Sequence, residues 1–485
     1  QALQRAAFEQ YDSAKIEEGE ASWSRALELA AKADKHFREA TSSLENAMSL
    51  DPSRADVRAL LADGLMDRSY LAERVFNRER VEELIERLGV YDDSGERLTR
   101  WTAPGVVNVV TTPASANIWI ERFEENEARQ LVASPKREVG VSPFQGLELA
   151  QGSYRLSFQR DGAYPVVLPI HVERGETLDV AISLPRARDV PKGYVYVPAG
   201  RFLYGASDET MRTAFYTAVP LHPVSTGAYL IARDETTFGE WIEFLETLPP
   251  EERAPLIPKV DGVVYHALIE GAAGGWTFEY KRGGETYRAA QGEEVVYHAR
   301  EANQRHDWLK MPVAGVVFDS ALRYTRWLDA SGKIPGARLC TEYEWERAAR
   351  GADDRTLPHG YEAAVSDANL AETYAHDNTR AGPDEVGKHP VSRSPYGVDD
   401  MLGNVAEWTT SVQAEGEVMV RGAGFFFDLV NGRTPNRPIV PPGFLDPQLG
   451  FRVCATYPLA AHPPQSSAAE PGEGAAAVTT GADAS

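Results

Sequence analysis

The feature that most constrains this chain is a change of sequence period near residue 100. Residues 1–98 are dominated by Glu, Ala, Leu, Arg and Lys, with almost no glycine or proline inside the segments, which predicts helix. From Gly105 to about Pro185 the pattern becomes short β-branched runs divided by glycine and proline: VVNVV, ANIWI, SYRLSF, YPVVLPIHV and TLDVAISL. That spacing predicts a small antiparallel sandwich. A chain that switches period in this way is not one uniform domain, and 485 residues exceed what a single core usually serves.

Within the helical part, Asp51 before Pro52 predicts a helix start, followed by Val57, Leu60, Leu61 and Leu65 at helical spacing, and Gly89 predicts the last stop. The stretch NAMSLDPSRADVRALLADGL resembles the turn of a tetratricopeptide-type hairpin, yet no second copy follows. Residues 1–98 are therefore expected to form a short helical lead-in or stalk. Fifty basic against 72 acidic residues give a formal charge of -22, a poor footprint for nucleic acid or an anionic membrane. No apolar run approaches the roughly 20 residues that cross a bilayer, and the first residues read as a polar helix, not a signal peptide. A start at Gln1 fits a processed or excised piece. The tail from 458 to 485, rich in Pro, Ala, Ser and Gly, is expected to be disordered. The two cysteines, Cys340 and Cys454, exclude a disulfide framework or cysteine-rich metal site. They leave two readings, one bridge or two separate buried thiols, and the second is the expectation.

The phrases VVTTPASANIWI, LAQGSYRLSFQRDGAYP and VERGETLDVAISLP resemble a PEGA domain over residues 105–185. The plainer alternative is an unspecialised β-sandwich spacer. Beyond it, seven phrases stand in order: VPAGRFLYG, HPVSTGAYLIARDETTFGEWIEFL, MPVAGVVFDSALRYTRWLDASG, ARLCTEYEWERAARG, SPYGVDDMLGNVAEWT, VMVRGAGF and LGFRVC. These are similar to the formylglycine-generating-enzyme (sulfatase-modifying-factor) family. The resemblance implies a C-type-lectin-like α/β fold over 192–457, with 259–307 as an insertion. Local signals agree. Asp319 predicts a helix cap before Ala321, Tyr324, Thr325 and Leu328, with Gly332 beyond the end. Thr341 and Glu344 have capping-box spacing before a helix that Gly351 ends, and Trp327, Trp345 and Trp408 read as core anchors.

Active members of that family use two nearby cysteines to bind copper and oxidise a substrate cysteine. Aligned on Arg421 and Gly422, the segment RGAGFFFDLVNGRTPNR puts Phe427 and Gly432 at those places. Neither binds copper, so formylglycine generation is not expected, and neither Cys340 nor Cys454 matches a catalytic position. The iron-dependent sulfoxide synthases of the same superfamily need three clustered histidines. Here His222, His266, His298, His306, His359, His376 and His389 are scattered, with no paired motif on a helix.

The resemblance also implies structural calcium. Asn404 and Glu407 of GNVAEW would serve one site, the alternative being a turn cap and a core salt bridge to an arginine such as Arg452. Asn369 would serve a second site, with Arg380 where the family has an aspartate unless Asp384 shifts in. The insertion carries VVYH twice, at Val263–His266 and Val295–His298, around glycine-rich turns, and predicts paired hairpins forming a flap.

The expected function is a non-catalytic binding or sensor region whose groove takes a peptide or small ligand. Arg421, Phe425, Phe427, Asp428, Asn431 and Arg437 are the groove candidates, with a Phe425–Phe427 core run as the alternative. The order of modules resembles the C-terminal part of bacterial serine/threonine kinases, which implies an extracytoplasmic location and a kinase and membrane segment upstream. No kinase signature occurs in the chain itself. The rival expectation is a metal-dependent oxidase of the same superfamily with altered chemistry.

Overall fold

Helix-forming composition produces five α-helices, Ala2–Asp12, Ile16–Leu50, Ala55–Arg74, Arg78–Tyr91 and Glu96–Trp101. The computed structural model describes residues 2–458, apart from 263, 273 and 413–415, so the expectation for the tail falls outside the described residues. Val57, Leu61 and Leu65 are buried as the spacing predicts, whereas Leu60 is exposed, and Leu61 and Leu65 share a helical core with Leu84 and Leu88. Two local expectations fail. Asp51 does not cap a helix at Pro52. Its carboxylate accepts from Ser53 N–H at 3.0 Å and from the Ser53 hydroxyl at 2.6 Å, and the helix begins at Ala55. A short acidic side chain satisfied within its own turn holds the backbone out of the helix. Gly89 stays inside its helix, which runs on to Tyr91 because Leu84 and Leu88 are anchored by packing.

The helices do not project as a stalk. Phe8, Tyr11 and Trp23 pack against the third region's Phe202, Tyr204 and Val219. Phe8 stacks on His222 at 4.9 Å, and Arg212 holds Glu20 through contacts of 2.6 and 2.9 Å. Apolar faces on isolated helices must find cover, and the third region supplies it.

Residues 105–183 form two sheets. One has the order Phe144–Leu149, Gly105–Thr112, Thr177–Ser183, and the other Leu131–Ala133, Asn117–Glu125, Gly152–Gln159, Val166–Val172, with Arg137–Val141 also on the second of these. The expectation of a wholly antiparallel sandwich is corrected at one ladder, because the first strand runs parallel to the last, Val106 facing Thr177 through Thr112 facing Ser183. A continuous apolar core joins this sandwich to the third region through residues such as Leu168, Val190 and Tyr196.

In the third region, one sheet has the order Ala337–Leu339, Val453–Thr456, Tyr229–Ala232, Tyr194–Val197. Another has Ile439–Val440, Val418–Arg421, Ala406–Val412, Leu449–Phe451. The helix Phe318–Ala330 buries Ala321, Tyr324, Thr325 and Leu328 as expected, but Val317 is its cap residue and Asp319 lies inside its first turn. Thr341 and Glu344 form the expected capping box, and Gly351 ends that helix at φ +84°. Trp345 and Trp408 are fully buried, while Trp327 is half-buried at the core's margin.

Cys340 and Cys454 are disulfide-bonded, which corrects the expectation of two separate thiols. The pairing of Ala337–Leu339 with Val453–Thr456 places Arg338 opposite Cys454 and so brings both sulfurs to one side of the ladder. Sequence distance hides such a neighbour, for the pair is 114 positions apart in the chain. The insertion forms the expected antiparallel hairpins, and they are packed into the core. Lys259–Val260, Tyr265–Glu270, Trp276–Arg282 and Glu285–Ala290 make a four-stranded antiparallel sheet whose Leu268, Trp276, Phe278 and Tyr280 are buried with Phe238 and Trp308. Val263 of the first VVYH lies outside the described residues; Val295 of the second is buried and His298 exposed. Among the described residues no helix is long and apolar enough to cross a membrane.

Candidate binding groove

The strand Val418–Arg421 leads into the segment 422–437, and its end is fixed from within. Arg421 is wholly buried, ion-paired to Glu346, and donates to the carbonyls of Thr434 at 2.8 Å and Asn436 at 3.1 Å. Arg437 is buried too, its guanidinium meeting both oxygens of Glu342 at 2.7 and 2.8 Å. Glu342 and Glu346 stand one turn apart on the helix Glu342–Arg350, so each needs a cationic partner once that helix is covered. Opposed burial and ion-pairing leave Glu342 below its ordinary carboxylate value: burial raises it, and Arg437 more than compensates. Phe425 is in the core, 6.1 Å from Tyr280 in an edge contact. Arg421, Phe425 and Arg437 are therefore corrected from groove residues to interior ones.

Phe427 and Asn431 do line a groove. Together with Asn436, Gln448, Phe444 and apolar residues including Val420, Pro438 and Leu449, they bound a cavity of about 180 Å³. That is side-chain size, below the range that small-molecule pockets usually span. Its walls are mostly apolar, and the Asn431 side chain makes no hydrogen bond among the described residues. Asp428 sits outside the cavity, exposed, 3.5 Å from His376. Phe426, not singled out by the sequence, lies half-exposed beneath the Arg282 guanidinium at 3.3 Å. Gln448 and Phe444 were also missed; they come from the otherwise featureless stretch 441–449, and only chain reversal brings them opposite Phe427. Gly432 is buried, and a Cβ there would come within 2.4 Å of Leu402 Cδ1. The space beside Gly432 is thus filled by a leucine methyl.

The oxygen-rich loop is brought together differently from the calcium expectation. Glu407 is spent on the interior: Arg452 contacts both its oxygens at 2.9 to 3.2 Å, and the Trp345 indole donates to it at 2.8 Å. Asn404, at φ +65°, donates to Glu235 at 3.0 Å and accepts from Asn369 at 3.2 Å and from the Asp384 backbone at 3.1 Å. Glu235 accepts in addition from Val405 N–H at 3.1 Å, and burial holds its carboxyl well above the usual range. Asn404 and Asn369 are hence neighbours, while the Glu407 carboxylate is held by Arg452 and Trp345. The side-chain oxygens of Asn404 and Glu407 are thus all engaged within the protein, which matches the alternative of a turn and a core salt bridge to Arg452. Among the described residues no group of three or more His, Cys, Asp or Glu side chains is arranged to hold a metal ion.

Residues 181–457, more than half of the chain, match the family model described as a sulfatase-modifying factor enzyme 1-like domain. The chain belongs to that family. A hercynine oxygenase of Mycolicibacterium smegmatis is 30% identical over 241 residues, covering 48% of this chain and 49% of that protein. A formylglycine-generating enzyme of Mycobacterium tuberculosis is 30% identical over 245 residues, 45% of this chain and 73% of that one. An inactive C-alpha-formylglycine-generating enzyme 2 of Mus musculus is 34% identical over 162 residues, 30% and 50% of the two chains. A shorter stretch of 102 residues is 37% identical to the serine/threonine-protein kinase pkn1 of Chlamydia caviae, 21% of this chain and 14% of that one. The chain spans about half the length of the hercynine oxygenase and of the inactive enzyme. The sulfatase-modifying-factor domain is therefore common to enzymes and to a relative named inactive.

Proposed function

We propose that this chain is a non-catalytic member of the sulfatase-modifying-factor family whose groove binds one side-chain-sized group of a peptide or small ligand. The observation that carries this reading is the fate of the thiols. Leu402 occupies the space beside Gly432, the chain's two cysteines are bonded to each other elsewhere, and the sequence alignment on Arg421 and Gly422 puts Phe427 and Gly432 where the active family has its cysteines. Copper-thiolate chemistry has no thiolate to start from. In place of a reactive pair, the segment offers an apolar cavity with an unengaged amide at Asn431, a combination suited to recognition. The proposal extends to the neighbouring modules: the sandwich as a PEGA-like spacer in an extracytoplasmic setting, and the whole as the regulatory part of a serine/threonine kinase. The similarity to a kinase supports this last step.

The test is metal analysis of the purified chain together with oxygen uptake in the presence of cysteine-bearing peptides and thiols. The expected result is neither stoichiometric copper or iron nor oxygen consumption. Either metal at one equivalent, with oxygen consumed, overturns the reading in favour of an oxidase with altered chemistry.

A further inference from the structure

A set of buried polar groups of metal-ligand type lies away from the groove, where the segment 369–389 meets the end of the insertion. Asp384 is wholly buried, with His389 Nε2 at 2.9 Å from one oxygen and His306 Nε2 at 3.4 Å from the other. The carbonyls of Asn303, Arg380 and Gly382 converge there, and Asn369 reaches in to donate to Gly382 at 3.0 Å. A carboxylate, imidazoles, carbonyls and an amide oxygen are the ligands a divalent cation would select. This is also where the family resemblance implies a calcium ion, with Asp384 shifted into place.

The centre of that set is occupied by a side chain. Arg300 donates from Nε to Arg380 at 2.6 Å, from Nη1 to Asp384 at 2.5 Å and to Asn303 at 3.2 Å, and from Nη2 to Gly382 at 2.9 Å. Its two faces are covered by the rings of Tyr297 at 3.7 Å and Tyr374 at 4.0 Å. The remaining Asp384 oxygen is taken by the Tyr374 hydroxyl at 3.0 Å and by His389. We propose that the Arg300 guanidinium is the resident cation of this site, so that the fold here is held by its own side chain and takes up no calcium.

Three arguments support it. A planar guanidinium with forked donors, held between two aromatic faces, is a geometry that an arginine satisfies and a hydrated metal ion does not. A second positive centre within contact distance of the first would meet strong repulsion at low dielectric, with the single carboxylate already neutralised. The residues that build the plug, Tyr297, Arg300, Asn303 and His306, all belong to the 259–307 insertion. This gives the insertion a role: it brings the cation that holds the 369–389 segment in place. Burial works against ionised Asp384, yet Arg300 and His389 more than reverse it, keeping its carboxyl well below the usual range. Asn369 Oδ1 is left buried without a partner, so one oxygen of the set stays open to a cation and calcium itself is the right probe.

The experiment is thermal unfolding of the full chain in calcium chloride and in EDTA, alongside Arg300→Ser and Arg300→Lys. The expected result is a wild-type midpoint that is the same in both conditions to within about 1 °C, with Arg300→Ser several degrees lower and Arg300→Lys between the two. A wild-type midpoint that rises with calcium, with the rise abolished by Asn369→Ala, overturns the proposal; so does an Arg300→Ser midpoint equal to wild type. Should Arg300→Ser yield no folded protein, calorimetric titration of the wild-type chain with calcium chloride decides alone. A flat titration supports the plug, and saturable binding lost in Asn369→Ala overturns it.

Discussion

Arg452 and Glu407 form a wholly buried ion pair, the guanidinium reaching both carboxylate oxygens at 2.9 to 3.2 Å while its other nitrogen donates to the carbonyls of Ala232 at 3.1 Å and Arg233 at 2.6 Å. It ties the loop that follows Gly403 to the strand ending at Ala232. Removing one partner leaves a buried charge without compensation, so Glu407→Gln is expected to cost about 3 to 5 kcal/mol of stability. Urea unfolding followed by tryptophan fluorescence measures it, and a loss below about 1 kcal/mol would contradict the pairing.

The Cys340–Cys454 bond closes a long loop, with a sequence separation of 114. Chain-entropy reasoning puts its contribution at about 4 to 5 kcal/mol. The double variant Cys340→Ala/Cys454→Ala is expected to unfold at clearly lower urea. Thiol titration of the denatured, unreduced chain is expected to find no free thiol, and two free thiols would refute the bridge.

Asp400 is buried, accepts from Gly387 N–H at 2.5 Å, and is pushed up from its ordinary 3.8 to about 7, burial being the main cause. A carboxyl raised on folding gives stability that is fully present below its unfolded value and lost as pH rises through its folded one. Stability is therefore expected to fall between about pH 4 and about pH 7. Asp400→Asn keeps an acceptor for Gly387 and a residue type tolerant of φ +53°. Its unfolding free energy is expected to be flatter over that window and higher than wild type at its upper end. Equal slopes in the two proteins would remove Asp400 as the cause.

Phe427 and Asn431 are the two groove candidates that the cavity retains. Phe427→Ala enlarges the cavity and Asn431→Leu removes its unengaged amide, and neither side chain belongs to the buried ion-pair network. Both variants are expected to keep the wild-type unfolding midpoint to within a few degrees and to lose about tenfold or more in affinity for any peptide selected on the wild-type chain. Unchanged affinity in both would place recognition elsewhere.

Arg174 joins the helical part to the sandwich, lying over the Trp101 ring at 3.7 Å and meeting Glu73 at 2.9 and 3.2 Å. Arg174→Ala is expected to loosen this joint and speed limited proteolysis between Trp101 and Gly105. A cleavage rate unchanged from wild type would show that the packing of Phe8 and Trp23 suffices.

What the sequence determined by itself was local or written in long ordered phrases. The change of period at residue 100 marked helices from strands, Thr341 and Glu344 announced their capping box, and the seven phrases specified the family, because each of these signals lies within a few residues or repeats in register. Only the tertiary structure decided the partners. Whether an arginine beside phenylalanines faces ligand or interior depends on Glu342 and Glu346, which lie roughly 75 to 95 residues away in the chain. Whether Asp384 meets a metal ion or a guanidinium depends on Arg300, 84 residues distant. Side-chain chemistry is readable one residue at a time, but the free energy of a buried charge is set by what the fold places beside it.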